Sequence, residues 1–320
     1  MWISVITRRS SKLNECANER HGSTFANESV ILACSNYTVN SKTEAVFANF
    51  KYNISDQTFL QFGLREQEIS AYASNQMFLP LSLLVGQASG GGGSFELIPV
   101  ALQQVDNEST TGSFKIGHFV NDDVMVYYSL QQGFRGAGRT LANTPISPAL
   151  VPFVEEETDM TEVGMKGTFM DGRLRLNFAY FDYSFENFQR KWDDVTARTY
   201  GPTGPGPTAQ VMGGIINNND ASLSGLDFEY KYIVNENLVL GGSITSSESE
   251  FDAGSVGYTA DPTYAGMTAA TADITGDPIN DAAETSWTFY LDHTVPSYAG
   301  GERYARYNLN YRGERDNGVN

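Results

Sequence analysis

The stretch "GMKGTFMDGRLRLNFAYFDY" (residues 164–183) alternates apolar and polar side chains, turns at Asp171-Gly172-Arg173, and alternates again. Period-2 alternation on both sides of a Gly-containing turn is the signature of a β-hairpin. Successive strand side chains point to opposite faces. Together with the preceding Val163, the side chains of Met165, Phe169, Leu174, Leu176 and Phe178 share one face, and Lys166, Thr168, Arg175 and Asn177 share the other.

Working outward, the same pattern gives about ten strands arranged as hairpins. "EAVFANFKYNI" (44–54) meets "TFLQFGLREQEIS" (58–70), and "TGSFKIGHFV" (111–120) meets "VMVYYSLQQGFR" (124–135). "ASLSGLDFEYKYIV" (221–234) meets "LVLGGSITSSESEF" (238–251), and "ETSWTFYLDHTV" (284–295) meets "RYARYNLNYRGE" (303–314). Connections within hairpins are short, whereas those between hairpins run over roughly 71–110, 136–160, 193–220 and 253–282. All 11 prolines fall in the long connections or, for Pro296, in the last short turn. Ladder hydrogen bonding requires their absence from central strands.

Two architectures place one apolar face opposite one polar face. A soluble sandwich buries the apolar face as a core, and its strands usually run to about 5 or 6 residues. A membrane barrel turns that face to lipid, and spanning takes about 9 to 11 tilted residues. The strands here reach the longer figure, and several structureless loops beyond about 12 residues are unusual in a compact soluble domain. The expectation is an all-β, antiparallel transmembrane β-barrel section, with short periplasmic turns and long extracellular loops. Residues 44–320 form that section, and residues 1–43 are a polar loop or an upstream strand remnant.

Composition removes other classes. Gly (31), Phe (19) and Tyr (17) are abundant, and no window supplies the run of apolar residues that a membrane-spanning helix needs. A formal net charge of -17 and the lack of any Lys/Arg-rich run disfavour nucleic acid. Cys16 and Cys34 lie in polar surroundings with only His21 nearby, which argues against zinc and leaves a disulfide or two free thiols open. "MWISVITRRSSKLNECANERHGS" (1–23) lacks the order of a secretory signal, so the chain is either cytosolic or a piece of something longer.

Catalytic and cofactor motifs are weak. "SGGGGS" (89–94) lacks the following Lys-Ser/Thr of a phosphate loop and reads as a flexible loop. "EEETD" (155–159) and "WDD" (192–194) lack calcium-loop spacing and read as a solvated rim. His118 and His293 lie in phase with apolar strand residues near short turns, which suits interfacial positions better than general bases. No enzyme activity, catalytic residue, metal site or cofactor is expected.

The run "VYYSLQQGFRGAGRT" (126–140), then "PFVEEETDMTEVGMKGTFMDGRLRLNFAYFDYSFENFQ" (152–189) and "SGLDFEYKYIVNENLVLGGSITSSESEFD" (224–252), resembles the β-barrel of TonB-dependent outer-membrane receptors. "EAVFANFKYNISDQTFLQFGLR" (44–65) fits the same barrel upstream, and the likeness covers roughly residues 44–316. Barrels of that family have about 22 strands. The resemblance therefore implies an internal section, without the plug domain, TonB-contacting segment, early strands or closing strands, unable to insert or transport alone. It implies a monomeric receptor in the outer membrane of a Gram-negative bacterium, in contact with lipid. Such a receptor takes up a scarce nutrient, a ferric siderophore or similar chelate, with the TonB complex acting through the plug. If an anionic chelate binds at the loops, Arg190, Lys191, Trp192, Arg198 and Tyr200 are the first candidates, and Arg135 and Arg139 the second. A passive porin and a secreted or surface β-sheet binding protein are the alternatives.

Overall fold

The structure, a computed structural model, describes residues 5–18, 31–80, 94–98, 103–139, 152–192, 195–201, 204–212, 215–259, 271–279, 282–297 and 300–314. These contain β-strands and no helix. In chain order the strands are β1 (Val5–Asn18), β2 (Ile31–Asn53), β3 (Thr58–Pro80), β4 (Ser94–Ile98), β5 (Gln103–Asn121) and β6 (Val124–Arg135). Next come β7 (Gly138–Arg139), β8 (Pro152–Phe153), β9 (Glu156–Phe169), β10 (Leu174–Trp192), β11 (Val195–Gly201) and β12 (Gly204–Met212). The last are β13 (Ile215–Asn235), β14 (Leu238–Phe251), β15 (Val256–Tyr258), β16 (Thr271–Asp273), β17 (Thr285–Pro296) and β18 (Glu302–Arg312).

One open 12-stranded antiparallel sheet carries the fold, in the order β1-β2-β3-β5-β6-β9-β10-β13-β14-β17-β18, with β4 paired to β3. Every strand expected from the alternation is present, and most are longer than expected; β2 and β3 each run for 23 residues. β1 and the first part of β2 occupy the stretch that the sequence left as a loop or strand remnant. Pro80 and Pro296 are the final residues of β3 and β17, so neither removes a central ladder bond.

The short connections collect at one rim and are stabilised by local chemistry. At β9–β10 the turn includes Met170, Asp171 and Gly172, all with positive φ (57°, 56° and 85°). Gly adopts that conformation without steric cost, while Met170 and Asp171 are held there by the hairpin closure. Asn121 accepts from the Asp123 and Val124 amides at 2.9 Å, and Asn235 accepts from the Asn237 amide at 2.9 Å. Both are Asx-type turns, which explains the Asn at those strand ends.

Register fixes the faces. Val126, Met165, Phe178, Phe228, Ile244, Trp287 and Tyr311 are direct neighbours in one rung across seven strands. Among the described residues nothing packs on this face: Phe50 is 60% exposed and Tyr307 66%. A sandwich would bury such residues, so the sandwich alternative fails on the observed exposure.

The opposite face is polar but contains large rings laid over glycines. An added Cβ would meet the Phe59 ring at 2.3 Å from Gly117, Tyr127 at 2.5 Å from Gly164, Phe181 at 2.6 Å from Gly225, and Tyr290 at 2.2 Å from Gly241. In each pair the ring and the glycine are cross-strand partners. Close approach of the ring to backbone is therefore what requires the small residues on this face.

Candidate functional site

The rim opposite the short turns is built mainly by the upper ends of β10, β13 and β14. β10 continues through Trp192, so Arg190, Lys191 and Trp192 belong to a strand rather than to a loop. A bulge between Phe185 and Phe188 in the β10–β13 ladder, with Asn187 at φ 56°, sets the phase of this last section. Strand alternation then puts Arg190 and Trp192 on the polar face and Lys191 on the other. Lys191 is exposed, whereas Arg190 and Trp192 are only 5% and 6% exposed.

What covers them is the connection after β14. Its hairpin, β15–β16, and Ile279 fold over the polar face, where Trp192, Ala221, Phe251, Ile274 and Ile279 form a buried cluster. Phe188 meets Phe251 edge-on at 6.0 Å, and Trp192 meets Tyr258 at 6.5 Å. The Arg190 guanidinium stacks on Trp192 at 3.8 Å and lies 5.0 Å from the Phe251 ring. Stacking on rings lets a planar cation enter an apolar cluster. Burial also pushes the Tyr258 phenol above its ordinary range.

Backbone bonds anchor this inward-folded cap. The Phe251 amide donates to Asp277 O at 2.9 Å, and the Gly276 amide donates to Phe251 O at 2.9 Å. The cap also holds itself: the Thr275 amide donates to Asp273 Oδ1 at 2.9 Å, which keeps the Asp273 carboxyl below the usual carboxylate range.

The run Asn217-Asn218-Asn219 is the decisive clamp, which the sequence reading passed over as part of a polar loop. Asn217 accepts the Trp192 indole N–H and donates to Val256 O at 2.7 Å. Asn219 accepts the Val256 amide at 2.8 Å. Asn218 accepts the Val154 amide at 2.9 Å and donates to Asn187 O at 2.6 Å. Successive strand residues thus fasten two different connections to β13, the cap through Asn217 and Asn219 and the 152–154 segment through Asn218.

A second knot ties β6, β9 and β10 together. Glu156, 8% exposed, accepts the Gln189 amide at 2.7 Å and lies 3.8 Å from Arg135. Gln189 donates to Gly136 O and Val154 O, both at 2.9 Å. Asn107 makes a strand-like pair of bonds to Ala137, accepting its amide at 2.8 Å and donating to its carbonyl at 3.3 Å. Arg135 remains exposed at this knot, and Arg139 lies in β7. Arg198 and Tyr200 are in β11, which pairs with β12.

A wide antiparallel sheet with an uncovered apolar face, a polar face and short turns on one rim is the wall of an outer-membrane-type β-barrel. The β-barrel model described as "TonB dependent receptor-like" matches residues 13–320, and the chain belongs to that family. Members are outer-membrane receptors and transporters, not enzymes.

Solved structures show the same fold at low identity. The ferric yersiniabactin uptake receptor FyuA from Yersinia pestis matches with TM-score 0.66 at 14% identity, covering 98% of this chain and 40% of that receptor. The ferric-catecholate import receptor Fiu from Escherichia coli K12 gives 0.58 at 11% identity, covering 91% of this chain and 38% of that one. The siderophore receptor PiuA from Acinetobacter baumannii gives 0.50 at 14% identity, with coverages of 86% and 36%. The chain thus spans less than half the length of these receptors. No curated protein matches it.

Proposed function

We propose that this chain forms part of the wall of a Gram-negative outer-membrane receptor that imports a ferric siderophore or similar metal chelate, with energy from the TonB complex. Family membership supports the transport class, and the solved neighbours named for ferric yersiniabactin and ferric catecholates support the chelate. The observation that carries the membrane setting is the apolar face: residues such as Phe50 and Leu309 are 60% and 58% exposed along strands that turn polar groups the other way. In lipid that exposure is favourable, and every backbone group must be paired within a closed sheet.

In this reading the rim of β6, β10 and β11 meets ligand first. Arg135, Arg139, Lys191, Arg198 and Tyr200 are the contact candidates, while Arg190 and Trp192 contribute from beneath by holding the cap. The neighbouring plug, the lipid contacts and a monomeric receptor belong to the same proposal.

Uptake of radiolabelled ferric chelates by cells with and without the receptor tests it. Receptor-dependent accumulation that stops when a protonophore collapses the inner-membrane gradient is the expected result. Receptor-dependent accumulation that a protonophore leaves unchanged would replace it with a passive pore. A receptor that is folded and monomeric without detergent would replace it with a surface binding protein.

A further inference from the structure

We infer that the polar wall of β2, β3, β5 and β6 contains a binding site for an oxyanion, specifically a carboxylate. The inference rests on the transport reading only in treating that face as a solvent-lined interior. Two adjacent rungs build the site. Lys51, Gln61, Lys115 and Ser129 are direct cross-strand neighbours in one rung, and Ser113 and Gln131 are paired in the next. Together they line a depression of about 430 Å³.

Each component has a physical role. Lys51 and Lys115 stand two strands apart, on backbones separated by about 10 Å, so one anion can lie between their ammonium groups. Each ammonium is positioned by a ring, with Lys51 Nζ 4.2 Å from the centre of Phe59 and Lys115 Nζ 3.9 Å from that of Tyr127. Gln61 lies between the two lysines in their rung, and Ser113 and Gln131 line the depression one rung further from the short turns. Gly63 makes room for the side chains of its two cross-strand neighbours, with Ser113 Oγ and Asn49 Oδ1 lying 2.3 and 2.7 Å from where a Cβ would be.

Ser129 is the pointer to a ligand. It is 2% exposed, lines the depression, and its hydroxyl has no hydrogen-bond partner among the described residues. A buried hydroxyl without a partner keeps its desolvation cost uncompensated, so its persistence calls for an acceptor or donor that arrives from elsewhere. Glu162, the adjoining carboxylate in the same rung, leaves the Ser129 hydroxyl without a hydrogen bond.

Charge along the sheet favours the same ligand sign at this wall. Lys51, Lys115, Lys166, Arg175 and Lys231 all lie on the polar face. Glu44, Glu68 and Glu108 form a rung on the other. Glu162, Asp227, Glu229 and Asp292 share the polar face, so the local excess of cations lies at the β2–β5 wall, where Lys51 and Lys115 stand in one rung.

The carboxylate has two sources, a diffusible ligand or another part of the receptor, and two arms of one experiment separate them. The whole receptor, extracted in detergent, is titrated calorimetrically with metal-free citrate, with glycerol as the uncharged control. If the ligand supplies the group, citrate binds, added salt weakens binding, and Lys51→Met or Lys115→Met weakens it about tenfold or more. Ser129→Ala weakens it less, by about threefold or more. If the receptor supplies the group, carbodiimide coupling without citrate joins Lys51 or Lys115 to a carboxylate other than Glu162, located by peptide mapping. The absence of both results in a receptor that retains its β-sheet spectrum overturns the inference. Failed uptake with citrate binding intact would sink the transport reading alone, and intact uptake with neither result would sink this site alone.

Discussion

Phe251→Ala tests whether the inward-folded cap is held by its apolar cluster. Phe251 is 1% exposed and packs against Ile274 and Ile279 of the cap, as well as against Phe188 and Ala221 of the wall. Removing a buried Phe side chain costs about 3–5 kcal/mol. Contacts among the wall residues survive cap opening, so the lower figure of about 3 kcal/mol applies to the cap. At about 1.4 kcal/mol per factor of ten, the opening equilibrium shifts roughly 150-fold. The assay is hydrogen exchange on the whole receptor in detergent, reading the amides of Gly276 and Ile274, which bond to Phe251 O and Ser255 O. Both are expected to exchange about two orders of magnitude faster, while the Ile54 amide, bonded to Thr58 O in a distant turn, keeps its rate. An acceleration of less than about threefold at Gly276 and Ile274, with Ile54 unchanged, would show that backbone bonds alone hold the cap and would refute the reasoning.

Four other outcomes follow from the same geometry. Gly257→Ala places a Cβ 2.3 Å from the Trp192 ring and 2.8 Å from the Ile274 side chain, so cap exchange accelerates as overpacking costs about 1–3 kcal/mol. Gly254→Ala, with φ +89° and open space around it, costs only the backbone strain of about 1 kcal/mol, and the two variants are distinguished by the Trp192 fluorescence shift seen in the first alone. Asn218→Ala leaves the Val154 amide without its acceptor, and limited proteolysis is expected to cut near residues 152–154 several-fold faster while the cap stays protected. Asp273 has a folded pKa lowered by the Thr275 amide, so its contribution is present above the ordinary carboxylate range and lost as pH falls below it. Cap protection should therefore decline on acidification through that window, and Asp273→Ala should remove the decline.

The sequence by itself determined the strands, their two faces and the rim that holds the short turns. Period-2 alternation is a local property, and residues such as Val163, Met165 and Phe178 declare their face without reference to any partner. Turn chemistry at Asn121, Asp171-Gly172 and Asn235 is equally local, which is why the turn ends of the hairpins, though not their far ends, were readable to within a few residues. Strand length and loop length added the expectation of a barrel rather than a sandwich, and the family resemblance added which barrel.

Tertiary structure alone decided the rim. Arg190, Lys191 and Trp192 read as one exposed patch because a charged run before a Gly/Pro-rich connection resembles a loop. The fold instead extends β10 through them, splits them between two faces, and buries Arg190 and Trp192 beneath residues some 80 positions later in the chain. Ile274 and Ile279, apolar residues within a polar connection, were the available hint of a cap, but alternation says nothing about which surface they cover. The Asn217-Asn218-Asn219 clamp was hidden for the same reason: Asn218 finds its partner at Val154, 64 residues away. A side-chain amide satisfies whichever backbone group the fold brings to it, so its role exists only once the sheet has assembled.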